Sequence, residues 1–298
     1  MAIVAHGVRL VGRSLVVLSA AFLATACAHG PSPAPKAEPE KMGKEEDRLG
    51  PGQHTAMVDG MPIVYHVHGQ GPVVLAHSGG PGCGWSYLRM PEVEQFATIV
   101  YIEPIGTGAS GRLADPAQYS RQLDTANVEG LRAHLGIQKI TLLGHSYGGF
   151  VALTYALTYP DHVRALILYD TAPMSGPERQ KDVVANMEWS RNEPWFADAK
   201  SAFDDEDRAQ SDEEQTRIFA RAVPFYIANW SKRRHELEGK LPSIQIFVER
   251  SHRQKAGVPQ VEVPSQRLVV LPNIGHLAHL EAPQEHARII KDFLTQLE

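Results

Sequence analysis

Short, nearly continuous apolar runs recur through this chain: Val73–Ala76, Thr98–Ile102, Ile140–Leu143, Ala165–Tyr169, Ile244–Val248 and Leu268–Leu271. A strand with one face in water alternates apolar and polar residues, whereas a run that is apolar throughout is buried on both faces, as in a helix-covered parallel sheet. Helical patterns lie between several of these runs, at Ser120–Leu135, Ser146–Tyr159 and Pro283–Leu297. Two alternating segments, His54–Val58 and Ile63–His68, flank Asp59-Gly60, a strong hairpin signal. An opening hairpin followed by alternating strands and helices predicts an α/β fold with a mostly parallel, doubly wound sheet. The alternation breaks once. From Pro173 to about Lys240 the chain carries helical-looking segments rich in Trp, Glu and Arg, which predicts a helical cap inserted at 173–240.

The length of 298 residues suits one such domain over 53–298 together with the segments before it. Arg9 and Arg13 precede an apolar stretch, Leu15–Ala26, too short to span a bilayer, and small residues follow. This is the pattern of a secretory signal at 1–26, and it predicts export to a periplasm or cell envelope. The end of the stretch reads in two ways. Leu23-Ala24-Thr25-Ala26-Cys27 resembles a bacterial lipoprotein box, which would lipidate Cys27 and anchor the protein to a membrane; Ala24-Thr25-Ala26 is also an ordinary A-x-A cleavage site. Residues 27–52 are rich in Pro, Glu and Lys, lack apolar periodicity and predict a disordered linker. A net charge of −5 and no long basic run argue against nucleic acid as a partner. The histidines are scattered, and no Cys/His cluster has metal-ligand spacing, so neither a metal nor a cofactor is implied.

The chemistry is concentrated where strands end. Gly144-His145-Ser146-Tyr147-Gly148 joins the strand ending at Leu143 to a helix, the context a G-x-S-x-G nucleophile elbow requires. Ser146 is the expected nucleophile. A serine hydroxyl needs a base within reach, and Gly275-His276 follows the last strand; His276 is the expected general base, with His279 and His286 as nearby alternatives. His77-Ser78-Gly79-Gly80-Pro81-Gly82 follows the strand Val73–Ala76 as an oxyanion loop would. The Tyr147 N–H and that of Gly80, or of its neighbour Gly79, are the expected donors. The third member of a triad is harder to find. Val248 to Arg253, where an acid is usual, contains no Asp. Asp170, at the end of the strand Ala165–Tyr169, and Glu249 are the two candidates, with a missing acid as the remaining possibility.

These residues carry a resemblance. From His54 to Glu298 the chain resembles the α/β-hydrolase superfamily, and within it the proline iminopeptidase-like serine hydrolases. Ser78-Gly79-Gly80-Pro81-Gly82 resembles that group's H-G-G-P-G, with Ser78 in the His position and His77 one place earlier. Glu103-Pro104-Ile105-Gly106-Thr107-Gly108-Ala109-Ser110 resembles its D-Q-R-G-x-G-x-S turn without the Gln-Arg pair. Gly275-His276 with Glu281 and Pro283 resembles the superfamily's G-H-x-x-x-x-E-x-P ending. The resemblance implies hydrolysis of an ester, amide or short peptide through an acyl-enzyme. In such peptidases acidic cap residues hold a substrate amine, a role that would fall to Glu188 or Glu193. A carboxylesterase or lactonase is the enzymatic alternative, with Trp189, Trp195, Phe196 and Trp230 lining an apolar pocket. A catalytically impaired binding homologue is the alternative from another class.

Overall fold

The computed structural model describes residues 13–20, 47–172, 177–237, 239, 244–247 and 266–297. Cys27, Glu249 and most of the linker lie outside them. The sheet has the order β2-β3-β5-β4-β6-β7-β1-β8, from β1 (Arg13–Ala20), β2 (Gly52–Val58), β3 (Met61–His68), β4 (Val73–His77), β5 (Thr98–Glu103), β6 (Ile140–His145), β7 (Val163–Tyr169) and β8 (Gln266–Pro272). β5, β4, β6 and β7 are parallel neighbours. β2 and β3 form the opening hairpin, in register Val58↔Met61. Asp59 and Gly60 between them both take positive φ (48° and 79°), as a two-residue turn matched to strand twist demands.

Helices cover both faces. α1 is Pro91–Glu94, α2 Arg121–His134, α3 Tyr147–Thr158, α4 Pro177–Glu188, α5 Phe196–Asp205, α6 Asp212–Ala222, α7 Trp230–Leu237, α8 Ala278–Glu281 and α9 Pro283–Thr295. Successive residues of a strand point to opposite faces. Leu75 therefore joins one core with Val128 of α2 and Val151 of α3, while Val74 and Ala76 join another with Ile290 and Phe293 of α9. This two-sided burial is why the runs are apolar throughout. α2 begins where the Ser120 hydroxyl accepts from the Leu123 N–H (3.2 Å) and ends at Gly136, φ 69°. α9 opens with Pro283, whose missing N–H costs nothing there.

One segment departs from the sequence reading. Ile244–Phe247, the described part of the run expected as a strand, does not enter the sheet. It makes a single bridge, Cys83↔Ile246, and bonds to the loop after β4 through Gly84 N–H to Gln245 O (2.8 Å) and Phe247 N–H to Gly82 O (2.9 Å). The place between β7 and β8 is taken by β1, antiparallel to both. Among the described residues the stretch between β7 and Ile244 contains helices α4–α7 and no strand, and no helix is long and apolar enough to cross a membrane. Ahead of the hairpin, the Tyr65 hydroxyl donates to the Arg48 carbonyl (3.0 Å).

Candidate active site

The turn from β6 to α3 places Ser146 at φ 52°, ψ −115°, a conformation costly for any L-residue that persists only when its surroundings over-determine it. The surroundings are tight. The Ser146 N–H donates to the Tyr169 carbonyl (2.9 Å), stitching the turn to β7. A Cβ on Gly144 would strike the backbone of Gly148, and one on Gly148 would strike the His77 and Ser78 carbonyls. That is the physical content of the two glycines flanking the serine. The Ser146 hydroxyl has no hydrogen-bond partner among the described residues and faces a cavity of about 150 Å³.

His276 borders the same cavity. Its loop is clamped from two sides. The His276 N–H donates to the Tyr226 carbonyl (2.7 Å). Glu281 accepts from the Gly275 N–H (3.0 Å) and the Ala228 N–H (3.1 Å), and pairs with Arg233 of α7 (2.8 Å). A Cβ on Gly275 would sit 2.5 Å from the Tyr226 carbonyl, so the approach requires glycine. The Gly-His…Glu ending is thus a clamp for the histidine loop. No hydrogen bond joins Ser146 to His276; in sites of this kind that bond often closes only around substrate.

The oxyanion loop is held from beneath. The Gly79 N–H donates to the Tyr87 hydroxyl (2.7 Å), and the Ser78 hydroxyl donates to the Cys83 carbonyl (2.9 Å). Of the two glycines left open by the sequence, Gly79 therefore has its N–H engaged. Gly80, at φ 113° and exposed beside the cavity, is the remaining candidate. Tyr147 is the first residue of α3, a position whose N–H finds no acceptor in its own helix.

Through His145, Tyr87 links this loop to the His276 segment. His145 Nε2 faces the His276 carbonyl at 2.9 Å. A carbonyl only accepts, so Nε2 carries the proton and Nδ1 accepts from the Tyr87 hydroxyl at 2.6 Å. The same logic fixes His279. Its Nε2 donates to the Tyr87 carbonyl (2.7 Å), and its Nδ1 accepts from the Tyr169 hydroxyl (2.7 Å). His279 and His286 were the alternatives for general base, and neither borders the cavity. Burial pushes His279 down to about 4. Burial, with His279 nearby, pushes His286 down to about 3. His145 is held well below its ordinary value, first by burial and then by its histidine neighbours.

This cluster has a measurable consequence. The unfolded chain takes up protons below about pH 6.5 while these buried rings stay neutral, so stability falls with pH by about 1.4 kcal/mol per unit for each such histidine. The contribution is complete above the unfolded value and is lost as pH falls through about 4 for His279 and about 3 for His286. Glu281, whose carboxyl burial pushes up, works in the opposite direction. The urea midpoint is expected to drop steadily from pH 7 to pH 5, and less steeply in His286→Leu. A flat midpoint over that range would refute the account.

Asp170 follows β7 directly, at φ 45°, and is buried. Because Ser146 bonds to the Tyr169 carbonyl, Asp170 and Ser146 leave adjacent parallel strands side by side. Its carboxylate adds to burial in pushing the Tyr169 hydroxyl far up. It does not border the cavity. Glu103, at the head of the altered turn, is a structural pin: it pairs with His66 (2.8 Å) and accepts from the Ala109 N–H.

The cavity walls differ from the sequence reading. Phe219, Val223, Tyr226, Ile244, Ile246 and Leu277 supply the apolar surface. Trp189, Trp195, Phe196 and Trp230 do not reach it. Trp189 is exposed, Trp195 and Phe196 pack on Phe225, and Trp230 packs against the core. Glu188 and Glu193 are exposed and also lie off the cavity, the latter accepting from the Ser231 hydroxyl (2.5 Å). The polar groups from this stretch that do reach it, Glu206 and Gln215, were missed. A signal existed for Gln215: it shares a four-residue spacing with Phe219 and Val223, so a polar residue stands on the apolar stripe of its helix. Cys83 also faces the cavity, its free thiol pushed up to about 12 by burial and therefore unreactive.

A family model described as the alpha/beta hydrolase fold matches residues 72–234, more than half of the chain. The chain is 35% identical over 144 residues to a 2-hydroxymuconate semialdehyde hydrolase of Pseudomonas sp. (strain CF600), covering 47% of this chain and 49% of that one. It is 24% identical over 274 residues to a proline iminopeptidase of Saccharolobus solfataricus, covering 78% and 88%. The chain thus spans about half the length of the first of these relatives, and less of several others. A solved proline iminopeptidase from Mycobacterium smegmatis superposes with a TM-score of 0.57 at 17% identity, covering 82% of this chain and 98% of that one, a likeness of fold. With β6 turning into α3 at Ser146 and a family model matched across that turn, the chain belongs to the α/β-hydrolase fold family.

Proposed function

We propose that the protein is a serine hydrolase that cleaves an ester, amide or peptide bond through an acyl-enzyme. The observation that carries this reading is Ser146, raised at a strained strand–helix turn, on the same small cavity as His276. In the proposed cycle Ser146 attacks the carbonyl carbon and His276 takes its proton. The tetrahedral oxyanion is held by the N–H groups of Gly80 and Tyr147. His276 then protonates the leaving group, and water repeats the sequence on the acyl-enzyme. Asp170 is the proposed acid behind the imidazole.

The mostly apolar walls favour a small ester or related acyl group. The carboxylate of Glu206 on the same cavity favours a second reading, an aminopeptidase that receives a substrate's amine. A fluorophosphonate probe should label the purified protein on the peptide containing Ser146. Short-chain aryl esters should then be compared with prolyl and alanyl arylamides. Turnover of esters alone would remove the peptidase reading. No labelling and no turnover of either series would remove both, and leave a binding homologue on a hydrolase fold.

A further inference from the structure

Gln215 stands out among the groups on the cavity. It is 3% exposed, and its side-chain Oε1 is buried with no hydrogen-bond partner. It also borders the space that Ser146 and His276 share. Buried amide oxygens are nearly always paired, because an unmade hydrogen bond leaves the full desolvation cost uncompensated.

The position is rigid. α6 starts where the Ser211 hydroxyl accepts from the Glu214 N–H (3.2 Å). One residue beyond Gln215, the Thr216 hydroxyl accepts from the Ile246 N–H (3.0 Å), tying the helix to the segment beside it. Phe219 and Val223 continue the same stripe, and Ile244 and Ile246 border the same cavity. A hydrocarbon side chain at 215 would complete that surface. Instead a carboxamide, with its oxygen unpaired, stands where the remaining walls are largely hydrocarbon. Small-molecule sites use such isolated polar groups to fix orientation and select among substrates.

We propose that Gln215 is a specificity-determining residue, whose carboxamide hydrogen-bonds to a neutral polar group on the acyl part of the substrate. The preferred substrate class is then a short acyl ester or amide bearing a hydroxyl or an amide N–H, over the plain alkanoyl equivalent. This rests on the hydrolase reading above. A pocket arranged to hydrogen-bond such a group rejects analogues lacking it, since they leave the carboxamide buried and unpaired.

The test compares 4-nitrophenyl butyrate with the 3-hydroxybutyrate and N-acetylglycinate esters, in the wild type and in Gln215→Leu. The wild type should favour at least one donor-bearing ester by about tenfold in kcat/KM, the size of one net hydrogen bond. In Gln215→Leu that ratio should fall towards unity. The hydroxyl and amide arms separate the two kinds of donor. A wild type without preference, or a preference that survives in Gln215→Leu, overturns the proposal. Gln215→Met repeats the measurement should the leucine variant fail to fold. Fluorophosphonate labelling of each protein separates the two levels: absent labelling of the wild type removes the hydrolase reading and this proposal with it, whereas labelling without preference removes only the role of Gln215.

Discussion

Replacing Ser146 by alanine is expected to lower kcat on any turned-over ester by about a millionfold, because nucleophile, base and acid act as a unit and loss of the nucleophile costs nearly as much as loss of all three. The strain at φ 52° belongs to the backbone and Cβ, which alanine keeps. The hydroxyl it removes makes no hydrogen bond among the described residues. Ser146→Ala should therefore melt within a few degrees of the wild type, and should bind substrate analogues with little change. What rate survives would come from Gly80, Tyr147 and binding alone. Activity within tenfold of the wild type would place the nucleophile elsewhere.

The acid carries the second large effect. In the proposed cycle the His276 imidazole must be held in one tautomer and stabilised as it charges, and replacing the responsible carboxylate by its amide costs roughly 10⁴ in rate in well-studied triads. Asp170 is the described candidate: it is buried, it follows β7, and it leaves the sheet beside Ser146. Asp170→Asn should lower kcat by about that factor while leaving fluorophosphonate labelling detectable but slow. Glu249→Gln, at the rival position, should then cost less than tenfold. A large loss in Glu249→Gln alone would reverse the assignment. Little loss in both would mean that no carboxylate completes the triad.

The parts of this architecture that were legible from residues alone are those in which backbone geometry forces composition. Asp59-Gly60 turned the opening hairpin, the apolar runs at β4 to β7 lie between helical layers, and the glycines around Ser146 are required by carbonyls that leave no room for a side chain. What was not legible depended on tertiary choice. Ile244–Phe247 has the composition of a strand, yet its partners are Gly82, Cys83 and Gly84. Likewise nothing in the composition of Arg13–Ala20 marks its pairing with β7 and β8. Aromatic content drew attention to Trp189 and Trp195, but helix rotation decides which face looks inward, and it turned Gln215 and Phe219 to the cavity instead. Tyr87 had no sequence pattern to mark it. Its importance comes from contacts with residues as distant as His145 and His279.

Glu281 has a mechanical meaning as well as an electrostatic one. One carboxylate grips the loop of His276 through Gly275, the start of α7 through Ala228, and α7 itself through Arg233. The base and this last helix of the insert therefore travel together. A doorway that swung on α7 would carry the imidazole away from Ser146 at each opening, so admission of substrate and readiness for proton transfer could not be adjusted independently. Because α6 runs on into Tyr226, whose carbonyl holds the His276 N–H, the helices outside these bonds are α4 and α5, and it is there that the proposed hydrolase could regulate traffic without disarming its chemistry.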